Sequence, residues 1–170
     1  MQEMIINLGG AADKTRIALS TSKNRPIPNS RRQERPPEAM RAAMEITLNG
    51  GADRKLRSLS STYNCFGMVF ANRRTCIEPD AIPDILEDDG YVAIDSPAAV
   101  SPGDIVIYER SGEISHVAVV ISNNPNCADG SSSIMVLSQW GSDGEYFHDH
   151  SDVPPLLGRP AKFYSERRKP

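Results

Sequence analysis

Two residues of this chain have the types and surroundings that thiol chemistry requires, Cys65 and His116. Cys65 lies in Ser60-Ser61-Thr62-Tyr63-Asn64-Cys65-Phe66-Gly67-Met68-Val69-Phe70. That run reads as a polar loop entering a short apolar helix, with the cysteine in its first turn. A thiol there faces the positive end of the helix dipole and unpaired backbone N–H groups. Both favour the thiolate, so a pKa below the ordinary roughly 8.5 is expected. Downstream come Ser101-Pro102-Gly103-Asp104-Ile105-Val106-Ile107-Tyr108 and then Ser115-His116-Val117-Ala118-Val119-Val120-Ile121. An imidazole opening an apolar strand can accept the thiol proton, and the thiolate can attack a carbonyl. Taken singly, a cysteine is more often a small buried hydrophobe, and a histidine at a strand start is often only a polar strand end. Cys76 and Cys127 take that plainer reading. The combination singles out Cys65 and His116 as a catalytic pair.

The elements that must position this pair are legible from pattern. Residues 1–22 are ambiguous, with Met4-Ile5-Ile6-Asn7-Leu8 a possible short strand, and residues 23–37 read as a proline-rich linker. Residues 1–36 together form an arm expected to be weakly structured, disordered or docked, and open to proteolysis near Arg25 to Arg35. A helix begins at Pro37, with Met40, Ala43, Met44, Thr47 and Leu48 on one face, and stops at Asn49-Gly50-Gly51. The cysteine helix covers roughly residues 65–74, and an acidic helix runs from Asp80 to Glu87. Tyr91 to Ile94 forms a short strand. Ile105 to Tyr108 and Val117 to Ile121 form an antiparallel hairpin across Glu109-Arg110-Ser111-Gly112-Glu113. Ile134 to Trp140 makes a third strand of this sheet and Glu145 to His148 a fourth. Helices first and strands afterwards predict an α+β domain over residues 37–165, followed by a basic tail at 166–170.

Composition narrows the function classes. A chain of 170 residues with 39% hydrophobic and 24% charged residues suits one domain plus an arm. The net charge of −3 hides an asymmetry. Lys23 to Arg41 holds six basic residues against Glu34 and Glu38, or +4, which leaves −7 for the rest. The basic stretch has no interleaved aromatic residues for base stacking, so it reads as a solvated linker and not as a nucleic-acid surface. Three cysteines fit no disulfide framework. The start of the chain lacks the basic and apolar regions of a signal peptide, and no run approaches the roughly 18 apolar residues of a membrane span. A cytoplasmic location is expected, with export by a route lacking a cleaved signal as the alternative.

The order of helix-borne Cys65, Gly103-Asp104-Ile105-Val106-Ile107-Tyr108 and His116-Val117-Ala118-Val119-Val120-Ile121 resembles the NlpC-type cysteine peptidases of the papain-like superfamily. The same layout is used by the related cysteine-histidine amidohydrolases of bacterial and phage cell-wall lysis. The likeness covers about residues 60–150, and the interval of 51 residues from Cys65 to His116 looks typical of it. The family's usual Asp-Cys-Ser-Gly is here Asn64-Cys65-Phe66-Gly67. Ser138-Gln139-Trp140-Gly141 resembles a Ser-x-Trp-Gly strand end of uncharacterised bacterial members. The resemblance implies a papain-like fold, with N-terminal helices on a small antiparallel sheet. It also implies amide hydrolysis in a peptide or a peptidoglycan stem peptide, without a metal or organic cofactor. A third polar residue is then expected on the strand after the histidine. Gln139 ranks first, because its carbonyl can accept an imidazole N–H; His148 ranks second and Ser138 third. The Cys65 backbone N–H would hold the oxyanion, helped by Tyr63, with Asn64 and Trp140 lining the substrate site.

Other constellations are weaker. His148-Asp149-His150 with Cys127 fits no standard zinc spacing, so no metal is expected. Asn7 to Thr15 lacks the Gly-Lys-Ser/Thr ending of a phosphate loop. Two other functions fit the same residues. One is an inactive NlpC-like binding or interaction module; the other is a deamidase or acyltransferase using the same pair.

Overall fold

The computed structural model describes residues 16–49, 54–124 and 133–166. Cys127, the apolar run Met4 to Leu8, the glycine loop Asn7 to Thr15 and most of the basic tail lie outside them. The chain forms, in order, β1 (Asn29–Ser30), α1 (Pro37–Asn49), β2 (Lys55–Ser58), α2 (Cys65–Phe70), β3 (Cys76–Ile77), α3 (Ile82–Asp88), β4 (Val92–Ile94), β5 (Ile105–Arg110), β6 (Glu113–Asn124), β7 (Ser133–Gln139), β8 (Glu145–Asp149) and β9 (Arg159–Ser165). The architecture is α+β. Seven strands form one antiparallel sheet in the order β2-β8-β7-β6-β5-β9-β4, and β1 pairs with β3 apart from it. None of the described helices is long and apolar enough to cross a membrane.

Three features differ from the sequence reading. The sheet is larger than the pattern suggests, because β2 and β9 join its flanks. Lys55-Leu56-Arg57-Ser58 and Arg159-Pro160-Ala161-Lys162 carry too few apolar residues to announce themselves as strands. A single described helix, α1, precedes the first strand of the large sheet, so helices and strands interleave. The cysteine helix is six residues long and ends at Phe70.

The sheet buries both faces at its centre, which is why β5 reads as a continuous apolar run instead of an alternating one. On one face Ile105, Ile107 and Val117 pack against Cys65 and Phe66 of α2 and against Ile82, Ile85 and Leu86 of α3. On the other, Val106, Tyr108, Ala118, Val120, Val136 and Phe163 pack together, and Val153 covers them. Burying each large aliphatic side chain contributes on the order of 1.5–3 kcal/mol, so these two layers hold the strands in register.

The stretch read as a weakly structured arm is, over residues 16–36, packed on the domain. Ile27 enters the core beside α3. The Asn29 side chain donates to the carbonyls of Ile17 and Ile27 and accepts from Thr75 Oγ1 and the Ile17 N–H. The charge asymmetry has a partner here. Lys23 and Arg25 pair with Asp88, whose side chain is fully buried, and Arg25 also pairs with Asp84. Farther along, Arg35 bonds Asp143 and Ser142.

Candidate active site

Cys65 is the first residue of α2, as the apolar run predicts. Asn64 is the N-cap: its Oδ1 accepts the N–H groups of Gly67 and Ile77, and its Nδ2 donates to the Ile77 carbonyl at 2.7 Å. A Cβ on Gly67 would lie 1.6 Å from the Thr75 carbonyl oxygen, so only glycine lets this turn approach the chain before β3. Asn64 and Gly67 thus carry structural duties, fixing where the thiol stands.

The thiol meets β6. Paired residues of β6 and β7 begin at Val119 and Leu137, so the start of β6 stands apart from β7. Val117 packs there in one cluster with Cys65. Nearby backbone groups of Val117, Phe66 and Cys65 itself favour the thiolate, but burial outweighs them. Cys65 is 6% exposed, and its thiol is pushed up to about 12. Burial thus works against the lowered pKa that the sequence leads one to expect. Helix-end electrostatics weigh less than the loss of water around a charge. Cys76 is also buried and shifted upward by burial, with its thiol toward the Thr62 carbonyl.

His116 precedes Val117 in the chain. Val117 faces α2, so alternation sends His116 to the other face, where it pairs with Tyr108 and the ring centroids lie 5.1 Å apart. It is fully buried, and neither ring nitrogen has a hydrogen-bond partner among the described residues. Burial, with the neighbouring His148 adding to it, pushes its pKa down to about 3, so the imidazole is neutral. Cys65 and the His116 ring thus lie on opposite faces of the sheet, with no hydrogen bond between thiol and imidazole.

The third position resolves differently from the ranking. Gln139 shares the face of Leu137, and its amide donates to the Ser60 carbonyl at 2.7 Å and the Gly141 carbonyl at 3.1 Å, with no bond to His116. Ser138 and His148 share the face of Val136, the one His116 uses. They bond each other, Ser138 Oγ to His148 Nε2 at 2.8 Å, while His148 Nδ1 meets the Asp149 carbonyl. Trp140 donates its indole N–H to Ser138 Oγ at 2.9 Å. Arg54 lies 4.9 Å over the Trp140 ring and is held by Asp152, so the indole is closed off instead of lining an open substrate site. Tyr63 is likewise occupied: its hydroxyl donates to Glu145 at 2.7 Å, and burial first, then that bond, raises it to about 12.

Glu145 escaped the sequence reading. Its carboxylate is fully buried and receives Tyr63, Arg57 and Arg73, tying β8 to β2 and to the turn after α2. Partners 72 to 88 residues away leave no local signal. No group of His, Cys, Asp and Glu among the described residues could hold a metal ion. Comparison with protein-family models, curated proteins and solved structures finds no match.

Proposed function

We propose that this chain is a thiol hydrolase cleaving an amide bond, in a peptide or a peptidoglycan stem peptide, on an NlpC-type papain-like scaffold. Cys65 is the nucleophile and His116 the base. One observation supports the reading: Cys65 opens the capped helix α2, and Val117, the chain neighbour of His116, packs in the same cluster as Cys65. In the reaction, the imidazole would take the thiol proton as the sulfur attacks the carbonyl carbon, which requires the start of β6 to rearrange, because His116 lies on the sheet face opposite Cys65. The imidazolium then protonates the leaving amine, and water hydrolyses the thioester. The oxyanion would be held by the Cys65 N–H; Tyr63 and Asn64 are spent on Glu145 and on the cap. Among the described residues none bonds His116, so the reading is of a Cys–His dyad. Burial of both groups disfavours a thiolate–imidazolium pair, so the proposed chemistry needs water or substrate to reach Cys65. No cofactor enters this chemistry. A cytoplasmic protein would act on a peptide amide there, or reach a cell wall by export without a cleaved signal.

A second reading is an inactive NlpC-like binding module. It is favoured by the 6% exposure of Cys65 and the absence of a thiol–imidazole bond. A deamidase or acyltransferase would differ only in the acceptor. The test is incubation with a thiol-directed electrophile followed by peptide mapping. Labelling of Cys65 ahead of Cys76 that falls at least tenfold in His116→Ala supports the hydrolase. Labelling indifferent to His116 supports the binding module.

A further inference from the structure

A cavity of about 620 Å³ opens where the β5–β6 turn meets the start of β9. Its volume falls within the roughly 300–1,000 Å³ of small-molecule sites. Arg110 and Arg159 line it, both exposed, and neither guanidinium has an ion pair or hydrogen bond among the described residues. Arg25, Arg35, Arg54, Arg57 and Arg73, by comparison, are each held by a carboxylate, while Arg31 and Arg41 on the surface are not. The lining also has an apolar side, from Val153, Pro155 and Pro160.

The rim is fixed in place. Gly158, at φ +94°, approaches so closely that a Cβ would lie 2.5 Å from both the Glu109 carbonyl oxygen and Ser115 Oγ. Ser115 Oγ in turn donates to the Leu157 carbonyl at 2.8 Å, clamping the β6 start to the turn before β9. Glu109 sits opposite Arg159 in the β5–β9 register, and it is the one acidic residue of the lining. The lining therefore sums to a single positive charge, with two guanidinium forks unspent.

We propose that this cavity binds a small ligand with one oxyanion group, carboxylate or phosphate, on an apolar body. The guanidinium forks match the planar oxygens of such a group, and the proline and valine wall receives the rest. The site is separate from the thiol chemistry and stands whether or not Cys65 reacts.

The test is an NMR titration of the intact, isotope-labelled chain with benzoate, phenyl phosphate and, as a cation of the same shape, benzamidine. Saturable shifts with either anion, centred on Ser111, Gly158 and Arg159 and weakened roughly tenfold or more in Arg110→Gln/Arg159→Gln, are expected. The stronger of the two anions names the group. Both arginines are exposed, so the double variant should keep the wild-type spectrum elsewhere. Three results overturn the proposal: no saturable shift with either anion, tighter binding of benzamidine, or anion shifts that persist unchanged in the double variant.

Discussion

His116 illustrates how one side chain links burial, protonation and stability. Its pKa is depressed in the folded protein to about 3, against an ordinary value of 6.5. The unfolded chain therefore gains a proton as pH falls below about 6.5, while the native state stays neutral until about pH 3. The stability associated with the neutral imidazole is complete above that upper value and is lost between the two, by up to about 1.4 kcal/mol per pH unit. His148 shifts in the same direction, first through burial. Chemical denaturation from pH 7 to pH 4 should show this loss, and His116→Leu should flatten much of the slope. Because the His116 ring makes no hydrogen bond among the described residues, that variant should also keep the wild-type stability at pH 7 within about 1–2 kcal/mol. A steep slope surviving in His116→Leu would assign the titration elsewhere. Glu145 is the opposite case, a buried charge with three donors. Glu145→Ala should destabilise by about 1–3 kcal/mol, read as a shifted urea midpoint, because it leaves the buried Tyr63 hydroxyl without its acceptor while the part-exposed Arg57 and Arg73 turn to water.

At the scale of elements, α2 is the piece on which the proposed chemistry depends. Six residues make a poor helix alone, so the element relies on its cap and its packing. Asn64→Ala removes the bonds to Gly67 and Ile77 and should cost about 1–2 kcal/mol in thermal or urea unfolding. Gly67→Ala should be worse than the cap variant. Its new methyl group meets backbone at 1.6 Å, and backbone cannot rotate away. A loss of about 3 kcal/mol or more, or failure to accumulate folded protein, is expected. If Gly67→Ala proved as stable as wild type, the close approach of α2 to Thr75 would be mistaken. The helix was visible in the apolar run after Cys65, the strands around Ile105, Val117 and Ile134 in their β-branched content, and the strand at Glu145 in its aromatic pair Tyr146-Phe147. The flanking strands β2 and β9 were not, because a strand that borrows order from its neighbour needs little apolar character of its own.

At the scale of the whole molecule, the N-terminal stretch is the main departure from what composition suggests. Proline and like charges argue for a loose arm, yet residues 16–36 place Ile27 in the core and pair Lys23 and Arg25 with α3. A chain beginning at residue 37 should lose several kcal/mol of stability in urea unfolding. It would strip Ile27 from beside Ile82 and Ile85 and uncover that face of α3 together with Asp88. Recovery of a truncated chain with wild-type stability would return these residues to the status of a linker.

By itself, the sequence determined what depends on neighbours in the chain. Capping preference, apolar run length, β-branched content and turn residues placed α1, α2, α3 and the four central strands, and they gave the α+β class. The resemblance to NlpC-type peptidases rests on the same local motifs. Tertiary structure alone decided what depends on distant partners and on water. Pairing with Tyr108 and alternation sent His116 to the face opposite α2. The turn of Gln139 toward the Ser60 carbonyl removed it from the imidazole. Burial reversed the expected direction of the Cys65 shift, since a sequence records which groups ionise but not how much solvent remains around them.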